Sequence, residues 1–218
     1  MNRVARDRRW AGWIVASAVL AIAGALSAPA GIGLHYVAKP FTTVLLVALA
    51  WRSADPLGLR AGVVAGLLLS LVGDVLLMLP TSAFVAGLGA FLLAHLAYIA
   101  AFFRPARLRS VVIAWLGYGL LAAGVLALLL PHVPAPMQGP VIGYGVVLTG
   151  MASFAFGARA TAGPRLAIGG ALFVLSDGLL AWDRFASPLP LAPLWVLSTY
   201  WAAQWCIARS IAPEGRRG

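Results

Sequence analysis

Cysteine, histidine and acid are all scarce in this chain. A single cysteine, Cys206, in 218 residues excludes an internal disulfide and argues against a thiolate metal site. It reads as a small apolar filler within a helix. There are three histidines and no H-E-x-x-H, G-x-S-x-G or P-loop pattern, which argues against zinc-protease, serine-hydrolase and nucleotide chemistry. No metal or cofactor is expected. Charged residues make up only 10% of the chain, and six acids face sixteen basic residues for a net charge of +10. The basic residues are scattered through short loops and do not cluster on one face, so no nucleic-acid partner is expected.

What the chain has in excess is apolar surface: 62% of its residues are hydrophobic, and its mean hydropathy is +0.94. A water-soluble domain of this size must cover itself with polar side chains. Repeated apolar stretches of about 20 residues instead predict an all-α, polytopic integral membrane protein forming one transmembrane domain over 1–218. Eight spans can be drawn, at roughly 10–28, 33–51, 60–79, 83–103, 110–130, 139–157, 165–182 and 191–210. The first follows Arg3, Arg6, Arg8 and Arg9 as a signal peptide would, but is long for a cleavable core and reads as a retained helix.

Charge placement supports the count. Fourteen of the sixteen basic residues fall at the termini and in the even-numbered loops, and only Lys39 and Arg184 lie on the other side. By the positive-inside rule both termini are cytoplasmic. The Ala- and Arg-rich composition points to a high-GC bacterium, hence to an inner-membrane location. Several tryptophans near span ends (Trp10, Trp51, Trp182, Trp195) read as interface anchors.

Against this apolar background two aspartates stand inside membrane spans in nearly the same local sequence, Gly73-Asp74-Val75-Leu76-Leu77 and Ser176-Asp177-Gly178-Leu179-Leu180. An ionised carboxylate in hydrocarbon costs at least about 2.5–3.5 kcal/mol, so its presence points to function. At 1.5 Å per residue both acids fall roughly 8–9 Å below the non-cytoplasmic boundary. Lys39, which precedes Pro40 in the second span, falls at a similar depth and is a candidate counter-charge to one of them. The Asp motif recurs after four spans, which suggests a parallel duplication of helices one to four in five to eight.

Gly62, Gly66, Ser70 and Asp74 share one helix face, where small residues let another helix approach. Gly169 or Gly170, Phe173 and Asp177 form the counterpart. His95 and Tyr98 lie three residues apart on the fourth span, toward its cytoplasmic half on this topology. His35, Tyr36 and His132 lie at outer helix ends. Tyr144, Tyr200 and Gln204 are polar groups within apolar spans and candidates to line a cavity.

These residues resemble the YhhN family, the eight-helix lysoplasmalogenases. The matching segments are Lys39-Pro40, Gly73-Asp74-Val75-Leu76-Leu77, Phe91-Leu92-Leu93-Ala94-His95-Leu96-Ala97-Tyr98 and Ser176-Asp177-Gly178-Leu179-Leu180, within roughly residues 36–206. The resemblance implies a lysophospholipid substrate held in the bilayer. Its vinyl ether bond would be hydrolysed to a fatty aldehyde and glycerophosphoethanolamine or glycerophosphocholine. It also implies that Asp74 and Asp177 are the essential pair. The candidate substrate-binding residues are Lys39, His95, Tyr98 and Tyr200.

Vinyl ether hydrolysis needs a protonated acid and an anion near the resulting oxocarbenium ion, and two carboxylates in unequal environments supply both. The competing class is a small-molecule or proton-coupled transporter, in which intramembrane acids relay protons across the full depth. Here the acids share one level. An intramembrane aspartyl protease would show Gly-x-Gly-Asp beside one acid, and neither aspartate has it.

Overall fold

The computed structural model describes residues 3–79 and 83–212. Arg216 and Arg217, two of the basic residues behind the charge asymmetry, lie outside them. Among the described residues the chain is helical, without strands: α1 (Arg3–Leu26), α2 (Ile32–Arg52), α3 (Arg60–Leu76), α4 (Phe84–Phe103), α5 (Leu108–Leu129), α6 (Ala135–Gly157), a single turn α7 (Arg159–Ala162), α8 (Pro164–Ala181) and α9 (Ala192–Arg209). Seven of the eight long helices fall within about four residues of the ranges expected from hydropathy, and α1 begins at Arg3, seven residues before the expected start. A 3-10 turn (Leu130–His132) follows α5, and a π turn (Trp182–Ala186) extends α8.

Six of these segments are long and apolar enough to cross a membrane: 9–26, 32–52, 84–103, 108–132, 135–157 and 164–186. The helices α3 and α9 are not among them. At 17 residues α3 rises about 26 Å, short of the roughly 30 Å hydrocarbon core, and α9 carries Gln204 and Arg209 within 18 residues.

Consecutive helices pair as antiparallel hairpins, and the hairpins close into a ring. Helix α2 packs on α3, α3 on α4, α4 on α6, α6 on α8, α8 on α9, and α9 returns to α2. Helix α1 lies outside this ring against α2 and α9, and α5 lies outside it against α6. The helices of the two halves therefore take corresponding places: first helix outside, second, third and fourth in the ring.

Small residues set the tightest contacts, as the four-residue series predicts. A Cβ on Gly62 would stand 2.7 Å from that of Ala101, and one on Gly66 would overlap the Tyr98 ring. The stripe thus admits α4 against α3. On α8, Gly169 opens toward Ala203 of α9 and Gly170 toward Ala152 of α6. Tyr98 is fully buried and hydrogen-bonded, so it cannot step aside. Gly66→Ala should lower stability by about 1–3 kcal/mol through overpacking. Gly143→Ala, with open space around the added carbon, should be neutral or slightly stabilising. Thermal unfolding of both variants in detergent checks this contrast.

Candidate functional site

Asp74, near the end of α3, is 1% exposed and is met by two other helices. From α2, Thr43 Oγ1 donates to Asp74 Oδ2 at 2.7 Å, and Lys39 Nζ lies 3.7 Å from Oδ1. Lys39 and Thr43 are four residues apart, so one face of α2 presents both. From α9, Tyr200 Oη donates to Oδ2 at 2.9 Å. Lys39 is itself 7% exposed, so the ammonium turns inward to the acid and does not extend to the interface. Pro40 lies inside α2 and lacks an N–H, which leaves one carbonyl of the preceding turn without its helical donor beside this polar cluster.

The support behind Asp74 is a directed chain. Tyr98 Oη donates to Gln204 Oε1 (2.6 Å), Gln204 Nε2 to Tyr200 Oη (3.3 Å), and Tyr200 to the carboxylate. Every donor in it points toward the acid.

Asp177, on α8, has a different set. Tyr144 Oη of α6 donates to its Oδ2 at 2.5 Å. His95 Nε2 of α4 lies 2.9 Å from that phenol and 3.5 Å from the same carboxylate oxygen. The His95 ring is fully buried and edge-on to Phe173 at 4.7 Å, and its Nδ1 has no hydrogen-bond partner. Hydropathy placed His95 toward the other half of the membrane. It is about midway along α4, where its Nε2 meets both the Tyr144 phenol and the Asp177 carboxylate. The ring of Phe173 also packs edge-on to Tyr200 at 5.6 Å, so one apolar side chain separates the two supporting sets.

Both sets follow one plan. Each acid is on the third helix of its half, with donors from the second helix of its own half (α2 or α6) and the fourth of the other (α9 or α4). Both acids face a single cavity of about 800 Å³, whose walls are chiefly leucine, valine, alanine and phenylalanine. Lys39, Tyr144 and Tyr200 line it as well. His95 and Tyr98 do not line the cavity: His95 stands behind Tyr144 and Asp177, and Tyr98 behind the Gln204–Tyr200 chain.

Three further residues belong here that hydropathy and motif reading did not single out. Thr43 was signalled only by its four-residue offset from Lys39. Trp182, expected as an interface anchor, lines the cavity instead, whereas Trp51 and Trp195 remain exposed. Asp183 also lines it, beside Arg184, whose guanidinium sits 4.9 Å over the Phe84 ring.

One buried acid and one partly buried acid thus face a single apolar cavity in a helical membrane protein. The chain belongs to the YhhN family, whose sequence model matches residues 34–211. Among curated relatives it is similar to Lysoplasmalogenase TMEM86B of Homo sapiens, 37% identical over 176 residues, covering 79% of this chain and 73% of the relative. The mouse (Mus musculus) protein of that name is 39% identical over 166 residues, covering 73% and 67%. The Lysoplasmalogenase of Mycobacterium tuberculosis is 36% identical over 206 residues, covering 84% and 78%. No solved structure matches the chain.

The ion pair makes a prediction that does not depend on the reaction. Lys39→Met strands a buried carboxylate and should destabilise by about 3–5 kcal/mol. Adding Asp74→Asn removes the stranded charge and should recover most of that loss. Unfolding midpoints of wild type, both single variants and the double variant give the coupling directly.

Proposed function

We propose that the chain is a lysoplasmalogenase-like ether hydrolase that cleaves the vinyl ether of an alkenyl lysophospholipid by acid–base catalysis between Asp74 and Asp177. The observation that carries this reading is the unequal environment of two carboxylates facing one apolar cavity. Asp74 has an ammonium and two O–H donors and serves as the anion. Among the described residues Asp177 has no lysine or arginine ion-paired with it, and it meets the Tyr144 phenol and the His95 ring instead.

In the reaction, Asp177 delivers a proton to the alkenyl carbon distal to the ether oxygen, leaving an oxocarbenium ion. The Asp74 carboxylate stabilises that cation across the cavity. Water then adds to the cationic carbon and returns a proton to Asp177, giving a hemiacetal. The hemiacetal collapses to a fatty aldehyde and the glycerol hydroxyl of the headgroup product. His95 and Tyr144 together hold Asp177 in position. The cavity volume suits a lysolipid's glycerol region and upper chain, and the names of the relatives support the substrate class.

Asp74→Asn and Asp177→Asn should each abolish aldehyde release from lysoplasmalogen in detergent while preserving monodispersity. Retention of more than about a tenth of wild-type activity, only ~1.4 kcal/mol of barrier, by either variant would remove that residue from the catalytic pair.

The same reading includes eight spans, both termini cytoplasmic in a bacterial inner membrane, and descent from a four-helix duplication. The matching ring positions of the two halves and the shared plan of the two acid sites support the duplication. Basic-residue asymmetry supports the topology. A reporter fused after Gly218 should be cytoplasmic, and an accessibility tag between Pro134 and Met137 periplasmic. Detection of both on one side would overturn the span count.

A further inference from the structure

We infer that Asp183 binds the ammonium of a zwitterionic headgroup, so that the cavity selects ethanolamine- or choline-bearing lysolipids. This inference rests on the ether-hydrolase reading for its substrate and extends it to a recognition residue. Six acids serve a chain of net charge +10. One of them lines the cavity beyond the acid pair, yet among the described residues no basic side chain forms an ion pair with it. Its nearest basic neighbour in sequence, Arg184, lies on the Phe84 ring instead.

The carboxylate is built in place. Trp182–Ala186 forms a π turn closed by Ser187 N–H to Trp182 O at 3.2 Å, which re-aims the last residues of α8. Leu189 N–H donates to Asp183 Oδ1 at 2.8 Å, which fixes one oxygen of the carboxylate. Trp182 and Phe185 line the same cavity, and the Phe185 ring meets Phe84 edge to face at 5.9 Å. A carboxylate facing a cavity that aromatic rings also line suits an ammonium or trimethylammonium group, to which such rings add cation–π attraction.

The spacing fits the substrate. Asp183 is six residues beyond Asp177, about 9 Å along the helix axis. In a lysoplasmalogen roughly nine bonds separate the vinyl ether oxygen from the headgroup nitrogen, about 11 Å at the ~1.2 Å advance per bond of a fully extended chain and less when it bends. A vinyl ether placed at Asp177 therefore brings its ammonium to Asp183.

The test compares alkenyl-glycerophosphoethanolamine with alkenyl-glycerophosphoglycerol, which keeps the phosphate and vinyl ether but has no ammonium. Wild type should show the lower KM for the ethanolamine lipid. Asp183→Asn, whose amide oxygen still accepts from Leu189, should raise that KM about tenfold and erase the preference, and Asp183→Glu should retain it in part. An equal loss on both lipids would mean that Asp183 only fixes the turn before α9, and would overturn the inference. A second measurement separates this from failure of the reaction itself. The saturated alkyl ether analogues of the same two headgroups have no vinyl group to protonate, and their binding can be followed by tryptophan fluorescence. If wild type released no aldehyde, the hydrolase reading would fall. A headgroup-dependent Kd that Asp183→Asn abolishes would still uphold the inference, and equal Kd values for the two headgroups in wild type would overturn it.

Discussion

An ionised carboxylate inside an apolar bundle persists only where other groups replace the water it has lost, and the ring around Asp74 is built to do so. The isolated charge would be several kcal/mol too costly. The ammonium of Lys39, the hydroxyl of Thr43 and the phenol of Tyr200 restore what solvation supplied. These groups come from α2 and α9, so the acid on α3 is stable only when three helices converge. Return of α9 onto α2, which closes the ring, is the same event that completes the shell of Asp74. Fold closure and formation of the site are therefore one constraint.

The second acid repeats that architecture with different contents. Asp177 receives Tyr144 and His95 from the helices that correspond to α2 and α9, but the cation is replaced by an imidazole that is charged only when it carries a second proton. Two equivalent carboxylates in one cavity would compete for the same proton and could not divide the labour of an acid and an anion. In the proposed reaction the lysine beside one acid and the imidazole beside the other give them different roles. Phe173, packed against both His95 and Tyr200, keeps the two supporting networks from merging.

The cavity between them is matched to an amphiphile. Its walls are largely aliphatic and aromatic, with the acids as polar points within them, while Trp182 and Asp183 bring polar character to the far end of α8. A single-chain lipid would bring its own apolar tail to the walls and exclude water from the reacting carbon except at the acids. Water exclusion strengthens every charge interaction inside, and in the proposed reaction this is what lets a carboxylic acid protonate carbon.

Much of this was legible in the sequence. Hydropathy located the eight long helices, because an apolar run of bilayer length has few alternatives to a helix. The rarity of acid marked Asp74 and Asp177, and helical periodicity gave the small-residue stripe on α3 and the level of Lys39. Distances along one helix are set by its geometry, so depth and face can be counted off. Neighbours across helices cannot. The contacts that complete the site join residues 49 positions apart (His95 and Tyr144) and 126 apart (Asp74 and Tyr200). They depend on how each helix is rotated and how its ridges seat against the next. For that reason the pairing of Lys39 with Asp74 rather than Asp177, the junction of His95 with Tyr144, and the inward turn of Trp182 and Asp183 were decided only by tertiary packing. Composition and periodicity determined which residues were costly to bury; the ring of helices decided which side chains made that burial possible.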